Sequence, residues 1–214
     1  GRLAPCHGDR RTSGMNICLV RHGETAWTLS GQHTGLTDLG LTAHGEDESR
    51  ALAPRLRALA FTRVLVSPRL RARQTCALAG FGAVSEIEPD LSEWDYGRYE
   101  GRTSADIRQE NPQWNIWRDG CPGGESPLDV SARADRLISR LCTVQGTVAL
   151  FSHGQFGAAL AVRWIGLAVS EGQHFALHTA SVSALGIAAH HPDRRTIELW
   201  NERPAPPSGL TPFQ

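Results

Sequence analysis

No apolar run in the 214 residues approaches the roughly 20 needed to cross a bilayer, and residues 1–14 hold no apolar segment of the secretory-signal kind. Excess charge of either sign is also missing. The 22 basic side chains balance 22 acidic ones, so no global field draws the chain to nucleic acid or to an anionic membrane, and any anion site must be local. Cys-x-x-Cys pairs are absent too. The five cysteines, at 6, 18, 76, 121 and 142, read as reduced thiols of a cytoplasmic protein, not as a disulfide framework. There is no Gly-x-Ser-x-Gly nucleophile turn and no His-Glu-x-x-His helix, which argues against a serine hydrolase and a metallohydrolase. His174 and His178 have helical spacing without the glutamate, and His190, His191 and Asp193 fall in a turn. Both groups read as structural. No internal repeat is present, and the length suits one domain with a full core.

What is present begins after an extension rich in Arg, Gly, Pro and Ser. Residues 1–14 read as disordered, residues 15–203 as the folded domain and the Pro-rich residues 204–214 as a tail. Asn16-Ile17-Cys18-Leu19-Val20 is a buried strand by its apolar run, and it delivers Arg21-His22-Gly23-Glu24-Thr25 at its C-terminal end, where open α/β sheets hold their ligands. Imidazole can attack phosphorus, and an adjacent guanidinium can hold phosphoryl oxygens while favouring the neutral ring. A histidine capping a strand end is the plainer alternative. Residues 25–38 are too polar and Gly-broken for a strand and read as a loop. Residues 42–60 read as one helix, with Leu52, Leu56 and Leu59 on its buried face.

A second strand, Arg63-Val64-Leu65-Val66, leads to Ser67-Pro68, which reads as an N-cap and first-turn proline. In the helix that follows, Ala72, Thr75, Cys76 and Ala79 share one face, Arg69 and Arg73 another, and Arg71 lies apart from both. A third strand spans residues 84–88. After it, Asp90-Leu91-Ser92-Glu93-Trp94-Asp95-Tyr96 mixes acids with rings, and a carboxyl held against rings is disfavoured as a charge, as a general acid requires. Taken alone, Glu93 reads first as a surface residue. Residues 103–120 read as a short helix and an irregular insertion. Ser126-Pro127 opens the clearest amphipathic helix, with Val130, Ala134, Leu137, Ile138 and Leu141 in register. A fourth strand, residues 147–151, delivers Ser152-His153-Gly154 to a helix, and two strands over residues 183–189 and 195–200 complete the sheet. If the strands ending at Val20, Val66 and Phe151 are parallel, Arg21, His22, Arg71 and His153 converge on one anion, and the charge suits a phosphoryl group.

The motif set Arg21-His22-Gly23-Glu24-Thr25, residues 67–75 from Ser67-Pro68 to Thr75, Glu93 with Tyr96-Gly97 and Glu100-Gly101, and Ser152-His153-Gly154 resembles the histidine phosphatase superfamily in its phosphoglycerate-mutase-like branch. The likeness covers about residues 15 to 200. Gly31-Gln32-His33-Thr34-Gly35-Leu36-Thr37-Asp38 and residues 114–121 resemble a subgroup with sedoheptulose-bisphosphatase-like and acid-phosphatase-like members. The resemblance implies a three-layer α/β/α sandwich with a mostly parallel central sheet. It implies His22 as the phosphorylated nucleophile, Glu93 as proton donor, and Arg21, Arg71 and His153 as the phosphate clamp, with Thr34 and the Gly35 backbone beside the phosphate. Thr28 stands where many relatives have Asn, with a shorter reach toward the same group.

The expected activity is hydrolysis of small phosphate monoesters, sugar phosphates or bisphosphates, through a phosphohistidine and with no metal or cofactor. A cofactor-dependent phosphoglycerate mutase and a non-catalytic phospho-ligand sensor are the alternatives. Against the mutase, Glu93 is followed by Trp94-Asp95, an aromatic and an acid, where mutases carry a cationic pair. Against the sensor, His22 and Glu93 are both present. Trp27, Trp94, Tyr96, Tyr99, Trp117 and Arg118 are candidates for the pocket wall, although rings are more often core than wall. The partner expected is a small phosphate ester, with neither nucleic acid nor membrane, and a homodimer is left open.

Overall fold

The computed structural model describes residues 16–191 and 193–204. The disordered extension expected at residues 1–14 and nearly all of the tail expected at residues 204–214 lie outside the described residues. The chain runs β1 (Asn16–Arg21), α1 (Ala26–Ser30), α2 (Ala43–Ala51), α3 (Ala53–Arg57), β2 (Phe61–Val66), α4 (Leu70–Leu78) and β3 (Ser85–Ile87). It continues through α5 (Ser104–Glu110), α6 (Ile116–Asp119), α7 (Pro127–Leu141), β4 (Thr147–Ser152), α8 (Gly154–Trp164), β5 (Val182–Ile187) and β6 (Arg195–Glu202).

Among the described residues six strands form one sheet in the order β3-β2-β4-β1-β5-β6. β1 and β2 both run parallel to β4, and β3 runs parallel to β2, whereas β5 is antiparallel to its neighbours β1 and β6. Val20 and Val66 both pair with Phe151, so the three motif-bearing strand ends lie side by side. Alternation along β1 sends Ile17 and Leu19 to one face and Cys18 and Val20 to the other. α7 and α8 cover the first face with Leu137, Ile138, Leu160 and Trp164, while α3 and α4 cover the second with Leu56, Ala72 and Cys76. Because both faces are covered, the inner strands are continuously apolar, which is the three-layer α/β/α sandwich of a mostly parallel sheet.

Local chemistry explains most element ends. Ser126 and Asp129 form a reciprocal capping box at the start of α7, with Pro127 in the first turn. Thr25 and Thr28 do the same for α1, a helix inside the stretch expected to be loop. The helix expected over residues 42–60 is two helices, broken at Leu52, because Pro54 has no N–H to donate back into α2. Ser67 does not cap α4. That helix begins three residues later, and the N–H of Leu70 is satisfied from a distance by the Asp38 carboxylate at 2.6 Å. Cys18, Cys76 and Cys121 are free buried thiols. The expectation of reduced cysteines does not extend to Cys142, which is disulfide-bonded. No helix among the described residues is long and apolar enough to cross a membrane.

Candidate active site

The site is built where β1, β2 and β4 end. His22 leaves β1 buried, and its Nδ1 lies 2.7 Å from the Gly23 carbonyl. A carbonyl can only accept, so Nδ1 carries the proton and Nε2 keeps the lone pair. Burial, with the charges of Arg71 and Arg21 added, holds the imidazole well below its ordinary 6.5. His22 is therefore a neutral base at neutral pH. His153, the residue before α8, presents its ring edge to His22 with centroids 5.2 Å apart. Its Nε2 lies 2.7 Å from Ser67 Oγ, and burial followed by the charge of Arg71 keeps it neutral as well. If the Ser67 hydroxyl donates to Nε2, the N–H of His153 is at Nδ1, which is buried with no partner among the described residues.

Two guanidiniums flank this pair. Arg21 donates Nη1 to the Leu177 carbonyl, and its Nε is buried without a partner. The close approach depends on Gly154, where a Cβ would sit 3.2 Å from Arg21 Cζ. Arg71, fully buried, donates to the carbonyls of Thr37 at 3.0 Å, Thr34 at 2.9 Å and Gly35 at 3.1 Å, leaving Nε without a partner. The same loop is held from its N–H side by Glu100, which accepts from Gly35, Leu36 and Thr37. One charge of each sign thus fixes residues 34–37.

Glu93 is buried across from these cations. Its Oε1 accepts from the N–H groups of Trp94 and Phe156, both at 2.8 Å, and Oε2 accepts from Gln155 at 3.0 Å. Oε2 is the oxygen with capacity to spare. The segment carrying Glu93 is fastened by Arg133, which donates to the carbonyls of Asp90, Ser92 and Glu93 and pairs with Glu125 at 2.7 Å. Arg21, His22 and Glu93 open onto a cleft of about 390 Å³.

A family model described as the histidine phosphatase superfamily, branch 1, matches residues 17–203. The chain belongs to that superfamily. An acid phosphatase of Mycobacterium tuberculosis is 41% identical over 174 residues, covering 79% of this chain and 85% of the relative. A sedoheptulose 1,7-bisphosphatase of Saccharomyces cerevisiae is 36% identical over 186 residues, covering 72% of this chain and 68% of that protein. Among solved structures, an open-reading-frame product of Mycobacterium tuberculosis superposes with a TM-score of 0.84 at 37% identity, covering 89% of this chain and 99% of the other.

In this histidine phosphatase the expected pocket residues divide. Trp27, Tyr96 and Trp117 line the cleft, as do Thr28 and Thr34. Trp94 does not: it is fully buried and packs its ring edge-on against Trp117. Tyr99 packs on Trp114 instead of the cleft, and Arg118 is exposed and paired with Asp119. Thr28 uses its hydroxyl within the capping box, donating to the Thr25 carbonyl at 2.8 Å. The Gly35 N–H is committed to Glu100, so this glycine serves close packing against the Trp94 carbonyl. Arg69 donates to the Leu36 carbonyl, while Arg73 is exposed.

Several cleft residues carry no motif signal. Gln32, Gln155, Gln173, Phe175 and Leu177 reach the cleft from segments far apart in the chain. Ser67 was legible as a polar residue at a strand end, but its role as the partner of His153 was not. Arg133 lies on the buried side of the amphipathic helix, and an arginine among apolar positions was the available sign.

Proposed function

We propose that this histidine phosphatase hydrolyses small phosphate monoesters, of the sugar phosphate or bisphosphate class, through a phosphohistidine at His22 and without a metal. The observation that carries the reading is a set of three buried polar atoms around His22, namely Arg21 Nε, Arg71 Nε and His153 Nδ1, that have no partner among the described residues. All three can donate, two belong to cations, and leaving such groups unpaired is costly unless an anion completes them. A phosphoryl group matches them in charge and in number of oxygens.

In the first step His22 Nε2 forms a bond to phosphorus as the ester P–O bond breaks, and the departing oxygen takes a proton from Glu93 Oε2. In the second, a water gives a proton back to Glu93 as its oxygen bonds to phosphorus and the N–P bond breaks, releasing inorganic phosphate. Arg21, Arg71 and His153 hold the equatorial oxygens throughout.

The test is rapid acid quench with labelled ester. Wild type should yield an acid-labile phosphoenzyme and turn over in excess chelator, and His22→Ala should do neither. Normal turnover in His22→Ala, or strict dependence on added metal, would overturn the reading. Primer-dependent interconversion of 2- and 3-phosphoglycerate outrunning phosphate release would point to a mutase instead.

A further inference from the structure

The charged groups of the cleft are concentrated on the reacting phosphate. Among the described residues, Arg21 is the one guanidinium that lines it, and Glu93 is the one carboxylate. Beyond them the walls are formed by Gln155 and Gln173, by Trp27, Trp117 and Phe175, and by Gln32, whose carboxamide is already satisfied, Nε2 donating to the Gly101 carbonyl at 2.7 Å and Oε1 accepting from the Ser30 hydroxyl at 2.6 Å. His33 also lines the cleft, stacked on Tyr96 with centroids 4.6 Å apart and its Nε2 3.1 Å from Ser104 Oγ. Burial pushes its imidazole down to about 4, so it adds no charge near neutral pH.

Four arginines outside the cleft are otherwise engaged, Arg163 with Asp135 among them. Arg102 pairs with Glu110, Arg118 with Asp119 and Arg133 with Glu125. Gln173 has its Oε1 taken by the Asn115 amide at 3.2 Å. Gln155 gives its backbone N–H to Glu93 and lines the cleft beside it.

We infer that the cleft selects phosphate monoesters whose body is uncharged and rich in hydroxyls, and discriminates against a second phosphate or carboxylate on the same molecule. The inference rests on the phosphatase reading above and narrows it to monophosphates. Carboxamides donate to and accept from hydroxyls, and aromatic faces pack on the C–H surface of a sugar. Among the described residues lining these walls no second cation receives another anion, which would also face the negative charge that Glu93 carries after giving up its proton.

The experiment compares kcat/KM for initial phosphate release from fructose 6-phosphate and fructose 1,6-bisphosphate. Wild type should favour the monophosphate by roughly tenfold or more, the scale of one uncompensated charge. Gln173→Arg should raise the relative kcat/KM for the bisphosphate by roughly tenfold, and Gln173→Glu should lower it. A wild-type enzyme that releases phosphate equally well or better from the bisphosphate overturns the inference, as does a ratio that neither substitution moves. Failure of the phosphatase reading is a different result, namely no phosphate released from either ester.

Discussion

The backbone N–H of Ala180 donates to the His22 carbonyl at 3.1 Å from a φ of 48°, in the left-handed region. Beside it the Arg21 N–H donates to the Ser181 carbonyl at 3.1 Å, and the Arg21 side chain reaches the Leu177 carbonyl. The segment entering β5 therefore grips both members of the Arg-His pair. A left-handed alanine costs about 1 kcal/mol or more, and the surrounding bonds must supply it.

Ala180→Gly removes that strain while adding freedom to the unfolded chain, so its stability should stay within about 1 kcal/mol of wild type. Ala180→Val adds a branched side chain at a buried left-handed position. It should lose about 2 kcal/mol and lower kcat as well, because His22 moves with its carbonyl. Urea denaturation and initial rates of both variants check this, and a valine variant with normal stability would refute the strain.

Arg71→Lys should lower kcat by about 100-fold, the usual result of a small misplacement near the reacting atoms. An ammonium cannot reach three carbonyls and an anion together, so the loop at residues 34–37 loses its anchor along with the phosphate contact. All 22 basic side chains of this chain are arginine, which makes Arg73→Lys, at an exposed position, a fair control. Equal losses in the two variants would show that the helix face is misjudged.

Arg133→Leu should destabilise the fold by about 3 kcal/mol, since it strands Glu125 and leaves three carbonyls without their donor. Turnover should fall with it, through Glu93, whose carbonyl is one of the three. Arg133→Lys should recover part of the stability. Thermal or urea unfolding measures the first effect, and loss of activity without loss of stability would mean that Arg133 does not act by fastening the segment.

Stability should fall as the pH drops below about 6.5. His22, His153 and His33 are all held below their ordinary 6.5 in the fold, His33 at about 4. An imidazole of this kind binds its proton more readily in the unfolded chain, so its contribution is complete above the unfolded value and is lost on acidification toward the folded one. Urea midpoints between about pH 7.5 and about pH 4.5 should show the decline, and His33→Gln should flatten part of it. A midpoint that rises on acidification would contradict the sign. Because His22 stays neutral well below 6.5, the acid limb of kcat/KM should also lie below that value.

The features that depend on neighbours in the chain were legible in the sequence. The run from Asn16 to Val20 made β1, Ser126-Pro127 started α7, and the 100° spacing separated the buried face of α4 from Arg73. The strand ends carrying Arg21, His22 and His153 followed, because a motif at the end of a buried parallel strand has one place to go. The tertiary structure decided whatever depended on competition between distant partners. Ser67 read as a helix cap, yet its hydroxyl contacts His153 and the start of α4 takes Asp38 instead. Trp94 and Trp117 are chemically alike, but one is core and the other wall, since burial sums contributions from elements far apart in sequence. The strained Ala180 and the three glutamine walls of the cleft have no periodic or motif signature at all. Ala180 and Gln173 are set by where β5 and the segment before it come to rest against β1, whereas Gln32 follows α1 and Gln155 lies in the first turn of α8, and these segments meet only once the sheet has closed.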